Sequence, residues 1–225
     1  MAVQMMIIKK IRLLKPFVIY GLLVFFTYLM LLITLQYVPL NFNAAFLVTK
    51  QTEIKLIHYQ LAFFVHVYTS IFTIIFGMFQ FSLQLRIRYP RLHRIVGRLY
   101  VLIILFFSAP SGFVMGYYGN GGISSRISFC LLAVLWFYFT LKAFLSIRDK
   151  KFKKHEYYMH FSYALTLSAI SLRLFKWIIA NTLELPPMDT YHIVVWLGWI
   201  FNLFVALLVI RRKQIIRNKY LIQQK

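Results

Sequence analysis

Acidic residues are what this sequence has least of. Only Glu53, Asp149, Glu156, Glu184 and Asp189 occur among 225 residues. All five fall in loops or at the ends of apolar runs, which excludes a relay of carboxylates carrying protons across a membrane. The lone Cys130 excludes an intrachain disulfide and a CxxC metal site. No nucleophile elbow, phosphate-binding loop or HExxH pair is present, so hydrolase chemistry loses its usual warrants. No motif for a nicotinamide cofactor appears either, and any redox role requires a partner or a lipid-soluble quinol. Internal repeats and long linkers are missing, which leaves one domain. Water-facing surface is the last scarcity, because 61% hydrophobic residues and a mean hydropathy of +0.72 exceed what a soluble domain carries. The chain reads as an integral membrane protein.

What is abundant is positive charge, with 26 Lys and Arg giving a formal net charge of +21. The cations stand in short clusters between apolar runs, without the exposed aromatics of a soluble nucleic-acid-binding module, so nucleic acid is not the expected partner. The runs predict an all-α bundle of six transmembrane helices, at about 17–38, 57–83, 95–116, 127–147, 157–180 and 191–210. The first is too long for a cleaved signal core and is expected to remain. Four segments, Lys9 to Lys15, Arg86 to Arg98, Arg148 to Lys154 and Arg211 to Lys225, hold 4, 5, 5 and 6 cations. Lys50, Lys55 and Arg126 mark the other side. The positive-inside rule then puts both termini in the cytoplasm and makes anionic lipids the expected neighbours of the basic loops. Pro39 to Lys55 is expected as a polar external loop, Pro110 as a kink in the third helix, and the fourth helix as the one that faces lipid, with part of the first.

Two helices carry polar stripes. His66, Ser70, Thr73, Gly77, Gln80 and Gln84 step by three or four along the second, and His155, Tyr158, Ser162, Thr166, Ala169, Arg173 and Lys176 do so along the fifth. With the third helix, rich in small residues, they are expected to line a polar interior. Ionisable groups at such depth are functional candidates. His66 needs a partner, for which Tyr59, Ser70 and a polar atom of the fifth helix are available. Facing His66 and Arg173 would make an outer chamber in which the cation neutralises a haem propionate or an anionic quinone-like ligand. Lys176 reads as snorkelling to headgroups, and the same reading stays open for Arg173. His93 and His155 sit at the cytoplasmic boundary, where imidazoles from two helices can hold a b-type haem, meet lipid headgroups or cap a helix. Around His93, the order Arg86, Arg88, Pro90, Arg94, Gly97, Arg98 and Tyr100 describes a tight basic turn followed by a close helix approach.

The stretches HVYTSIFTIIFGMFQFSLQLRIRYPRLHRIVGRLY (66–100), SGFVMG (111–116), HEYYMHFSYALTLSAISLRL (155–174) and WLGWIFNLFVA (196–206) resemble an uncharacterised family of bacterial six-helix membrane proteins known only as domain of unknown function 2306. The resemblance covers roughly residues 60–210 and is most specific in PRLHRIVGRLY. His66, Gln80, Arg86, His93, Arg94, Gly97, Arg98, Tyr100, His155, Met159, Ser162 and Arg173 fall on its characteristic positions. An arginine expected after Met159 is here His160, which directs the inner pairing to His93 and His155. The family brings no activity. Its layout looks like that of b-type cytochromes and ferric-reductase-like membrane proteins, though the paired histidines of a two-haem cytochrome are absent.

These readings combine into an expected haem-binding electron-transfer protein of the bacterial cytoplasmic membrane. His66, His93 and His155 are its candidate haem ligands, and Arg86, Arg94, Arg98 and Arg173 its candidate sites for propionates or headgroups. Ser70, Thr73, Gln80, Ser162 and Thr166 make its polar seam, and a quinol or another membrane redox protein its partner. Two alternatives remain: a carrier or lipid- or small-anion-binding protein using the same stripes, and an assembly subunit of a larger membrane complex.

Overall fold

The computed structural model describes the backbone of residues 2–223 and the side chains of residues 17–218, so Lys9, Lys10, Arg12, Lys15, Lys219 and Lys225 of the charge count lie outside the described side chains. Every regular element among the described residues is helical. Helix α1 spans Ala2–Leu35. Two short 3-10 turns, Ala45–Lys50 and Glu53–Lys55, lead into α2, Ile57–Gln80. A short α3, Leu83–Arg88, precedes α4, Pro90–Ile103. A π turn at Ile104–Ser108 joins α4 to α5, Ala109–Tyr117. Then come α6, Gly122–Arg148, α7, Phe152–Thr166, α8, Ser168–Thr182, and α9, Pro187–Gln223. Five segments are long and apolar enough to cross a membrane, and six if α7 and α8, bent by 43° at Leu167, form one span.

The boundaries follow local chemistry. Ser82 starts α3 by accepting the Leu85 N–H on its Oγ at 3.2 Å. Pro90 occupies the first turn of α4, where its missing N–H costs nothing. Pro110 falls just beyond the π turn, where the Ala109 N–H bonds back to the Ile104 carbonyl. The expected kink is thus a one-turn widening of the third span. Between α6 and α7 the Lys150 N–H reaches the Ile147 carbonyl at 3.0 Å and the Lys151 N–H the Ser146 carbonyl at 2.8 Å. This Schellman turn requires a left-handed residue, supplied by Lys150 at φ 58° rather than by glycine.

Packing corrects the expectation for the fourth helix. Far from being the lipid-facing one, α6 is central, touching α4, α5, α7 and α9. Its inner face is Ser125, Ser128, Ala133, Trp136, Thr140, Ala143 and Ser146, all buried. Small side chains let neighbours approach closely, and bulky residues elsewhere on the helix hide this stripe in a hydropathy profile. The lipid-facing helix is α1, which has no buried residue from Phe17 to Leu35 and packs against α2.

The 39–56 segment is likewise more than a polar loop. Leu47 and Ile54 pack with Tyr37, Tyr59, Phe63 and Phe64 in an apolar cluster over that end of the bundle. Lys50 is 1% exposed. Its ammonium donates to Glu53 at 2.9 Å and to the Tyr118 carbonyl, pinning the segment to the end of α5.

The bend between α7 and α8 frees backbone groups, and α9 answers them. Asn202 Nδ2 donates to the Ala164 carbonyl at 3.1 Å, and Asn202 Oδ1 accepts from Ser171 Oγ at 2.8 Å. One amide thus bridges the bend. Gly198 lets α9 lie against the α8 backbone, since a Cβ there would stand 3.1 Å from the Leu172 Cα.

Candidate functional site

Among the described residues, the side chains of the two polar stripes make no hydrogen bond to each other. Ser162 and Thr166 turn toward α4 and α6 instead of the α2 stripe. Tyr100 Oη lies 2.9 Å from each of Ser162 Oγ and Thr166 Oγ1, Thr140 Oγ1 lies 2.7 Å from Ser162 Oγ, and Trp136 Nε1 donates to Thr166 Oγ1 at 3.0 Å. This buried hydroxyl network joins three spans through side chains that satisfy one another, as an apolar surrounding demands. Opposite it, α2 contributes Gly77, whose missing side chain leaves room for the rings of Tyr163 and Tyr100. Ser70 and Thr73 bond within α2, the Thr73 hydroxyl donating to the Ser70 carbonyl at 2.7 Å.

At the arginine end the order of PRLHRIVGRLY acquires a reason. Gln80 Nε2 donates to the His93 carbonyl at 3.3 Å, and a Cβ on Gly97 would come within 2.8 Å of Gln80 Oε1. Gly97 therefore admits Gln80 onto the α4 backbone, and one turn later Tyr100 enters the network. Arg91, Arg94 and Arg98 occupy the exposed face of α4. The His93 ring is half-buried, with a sealed Nδ1 that has no hydrogen-bond partner. Arg86, Arg94 and His155 lie within electrostatic reach of it. His155 Nδ1 donates to the Ala143 carbonyl at 2.9 Å. His160 is occupied otherwise: its Nδ1 donates to the Glu156 carbonyl at 2.6 Å, and its Nε2 accepts from Lys213, which also pairs with Glu156.

His66 takes none of the three partners foreseen for it. Its Nδ1 donates to the Ser108 carbonyl at 2.8 Å, with Ser111 Oγ at 3.5 Å, so the ring is anchored to the π turn of the third span. Thr69 Oγ1, 2.9 Å from Ser108 Oγ, fastens the same turn to α2. Gly112 forms the seat beneath the ring, where a Cβ would stand 3.0 Å from His66 Cε1. Arg173 lies within electrostatic reach of both His66 and Tyr37. Its Nη1 donates to the Ala169 carbonyl at 2.9 Å, which turns the guanidinium back along α8 toward the bend. That direction is the opposite of snorkelling. Arg173 is exposed on α8, on the side near His66 and Tyr37.

Sequence reasoning missed Thr140, Trp136, Ser108, Tyr37, Lys50 and Asn202 as polar partners. Only the small-residue spacing of α6 carried a readable signal for any of them.

An all-helical bundle with these apolar spans and polar groups buried between them defines a polytopic membrane protein. More narrowly, the chain belongs to the family described as Predicted membrane protein (DUF2306), whose model matches residues 63–210. The match includes His66, His93, His155 and Arg173 and begins after the 39–56 segment. No curated protein and no solved structure matches the chain.

Proposed function

We propose that this protein binds b-type haem and transfers electrons within the membrane, with His93 and His155 as axial ligands at the arginine end. The observation that carries this reading is the state of the histidines. In His155 the Nδ1–H is committed to a main-chain carbonyl, which fixes the tautomer and leaves the Nε2 lone pair free, the arrangement that second-shell bonding imposes on metal-ligating imidazoles. His66 has the same arrangement at the other end of the bundle. His93 supports the reading through an Nδ1 that has no hydrogen-bond partner among the described residues, near a second histidine. Arg86 and Arg94 supply the positive charge that propionates require. Bound haem would contribute a one-electron couple. The chain's own residues would hold the imidazole orientation and exclude water, and the absence of a nicotinamide motif leaves a quinol or another membrane redox protein as electron partner.

Purification in mild detergent from a haem-supplied bacterial host is the test. The reading expects a red protein whose Soret band shifts on dithionite reduction, and loss of that band in His155→Ala and His93→Ala variants that still fold. Folded, colourless wild-type protein from that host refutes it.

A further inference from the structure

We infer that the crevice between α2 and α8 binds the oxyanionic head of a membrane amphiphile, with Arg173 as counter-charge and His66 Nε2 as hydrogen-bond acceptor. The crevice arises from the bend at Leu167. Below it, α7 lies against α2 through Tyr163 and Gly77. Above it, α8 sets Ile170 against Ile71 and Ile74 of α2, and departs at 43° to pack on α9. Phe26, Met30 and Leu167 complete an apolar floor with those isoleucines. Tyr37, held by the Phe46 N–H on its Oη and by the Tyr68 hydroxyl on its carbonyl, lies toward the loop end within reach of Arg173.

Charge identifies the occupant. Arg173 stands nine residues from the end of α8, about 13 Å along the axis, and its guanidinium points further inward. The five carboxylates of the chain form ion pairs at Glu53, Asp149 and Glu156 with other residues, and none of the five pairs with Arg173. Among the described residues, one Arg173 N–H finds an acceptor, the Ala169 carbonyl, which leaves four of its five donors to other groups. An arginine at this depth needs an anion, and the described residues pair none with it. His66 adds a second requirement. With Nδ1–H committed to Ser108, Nε2 accepts, and among the described residues it has no partner while remaining unsealed. A head that presents one anionic oxygen and one O–H meets both groups, as a singly ionised phosphate monoester does and a carboxylate, which only accepts, does not. Its alkyl chain would leave past the exposed face of α1, which packs mainly along α2. The haem reading is not needed here, and haem-free protein should bind equally well.

The test uses the full chain in phosphatidylcholine nanodiscs, doped with dioleoyl phosphatidic acid or oleate, or bathed in inorganic phosphate. Native mass spectrometry should show one retained phosphatidic acid and weaker retention of oleate, with phosphatidic acid affinity about tenfold weaker in Arg173→Gln and partly restored in Arg173→Lys. Arg91→Gln, on the exposed face of α4, should leave binding unchanged. A diazirine-tagged phosphatidic acid on wild-type protein provides a measurement that no variant's folding can spoil, and it should label α2 and α8. Labelling confined to α3 and α4, equal retention in Arg173→Gln, or the whole effect reproduced by inorganic phosphate overturns the inference.

Discussion

Replacing Gly77 with alanine tests how the second and fifth spans meet. An alanine Cβ would lie 2.3 Å from both Cδ2 and Cε2 of Tyr163, and 3.0 Å from Tyr100 Cε2. Ordinary carbon contacts lie at about 3.5–4.0 Å, so the ring must retreat by more than about 1 Å. It has little room to do so, being 7% exposed, tilted against Phe81 at 5.2 Å and backed by the hydroxyl network. Overpacking of this kind costs about 3 kcal/mol at the upper end of its range, and the better helix propensity of alanine returns about 1. A net loss of about 2 kcal/mol is expected. Unfolding by SDS titration of dodecylmaltoside micelles, followed by far-UV circular dichroism, measures it. Tyr163→Leu should remove most of the penalty, so that the double-mutant cycle returns a coupling of about 2 kcal/mol. Gly21→Ala is the control, since nothing lies within 4 Å of its Cβ position. A loss below about 0.5 kcal/mol for Gly77→Ala, or the same loss with and without Tyr163, refutes the packing argument.

Three further outcomes follow from the geometry. Tyr100→Phe removes two 2.9 Å bonds but leaves Ser162 bonded to Thr140 and Thr166 to Trp136, so it should cost about 1 kcal/mol in the same titration. Lys150→Gly relieves a left-handed lysine and should raise stability by about 1 kcal/mol, read as a higher SDS midpoint. For Glu53, burial opposes ionisation, but the hydrogen bond from Lys50 prevails and holds the carboxyl below its ordinary 4.5. A depressed folded value means that the pin on the 39–56 segment is intact above that pH and is lost as pH falls through the depressed range. Hydrogen exchange of residues 45–55 should therefore quicken on acidification below about pH 4.5 in wild type, and show no such step in Glu53→Gln.

The α2 stripe was readable because His66, Gly77 and Gln80 recur at helical spacing and all three turned out to face protein. What each of them faces was not readable. The partner of His66 is a main-chain carbonyl in a π turn, which no side-chain pattern announces. The α6 face escaped notice because serine, threonine and alanine set among leucine and phenylalanine barely change the mean hydropathy, whereas packing responds to their volume. Lys50 looked like an ordinary external cation, since its acceptor at Tyr118 lies 68 residues away. Gly97 and His93 were recognisable as an ordered motif, but the reason for the order, Gln80 lying across the α4 backbone, belongs to another helix.

Asn202 has a consequence for the width of the crevice. Its amide holds a carbonyl before the bend and a hydroxyl after it, so a side chain of fixed length on α9 acts as a strut that sets the angle between α7 and α8. Of the two walls of the crevice, one is built on α2, which packs on α4, α5 and α7, and the other on α8, while α9 packs on both α7 and α8. Their separation is governed by α9, which lines neither wall. A one-carbon change at position 202 should alter the aperture without touching any residue inside it.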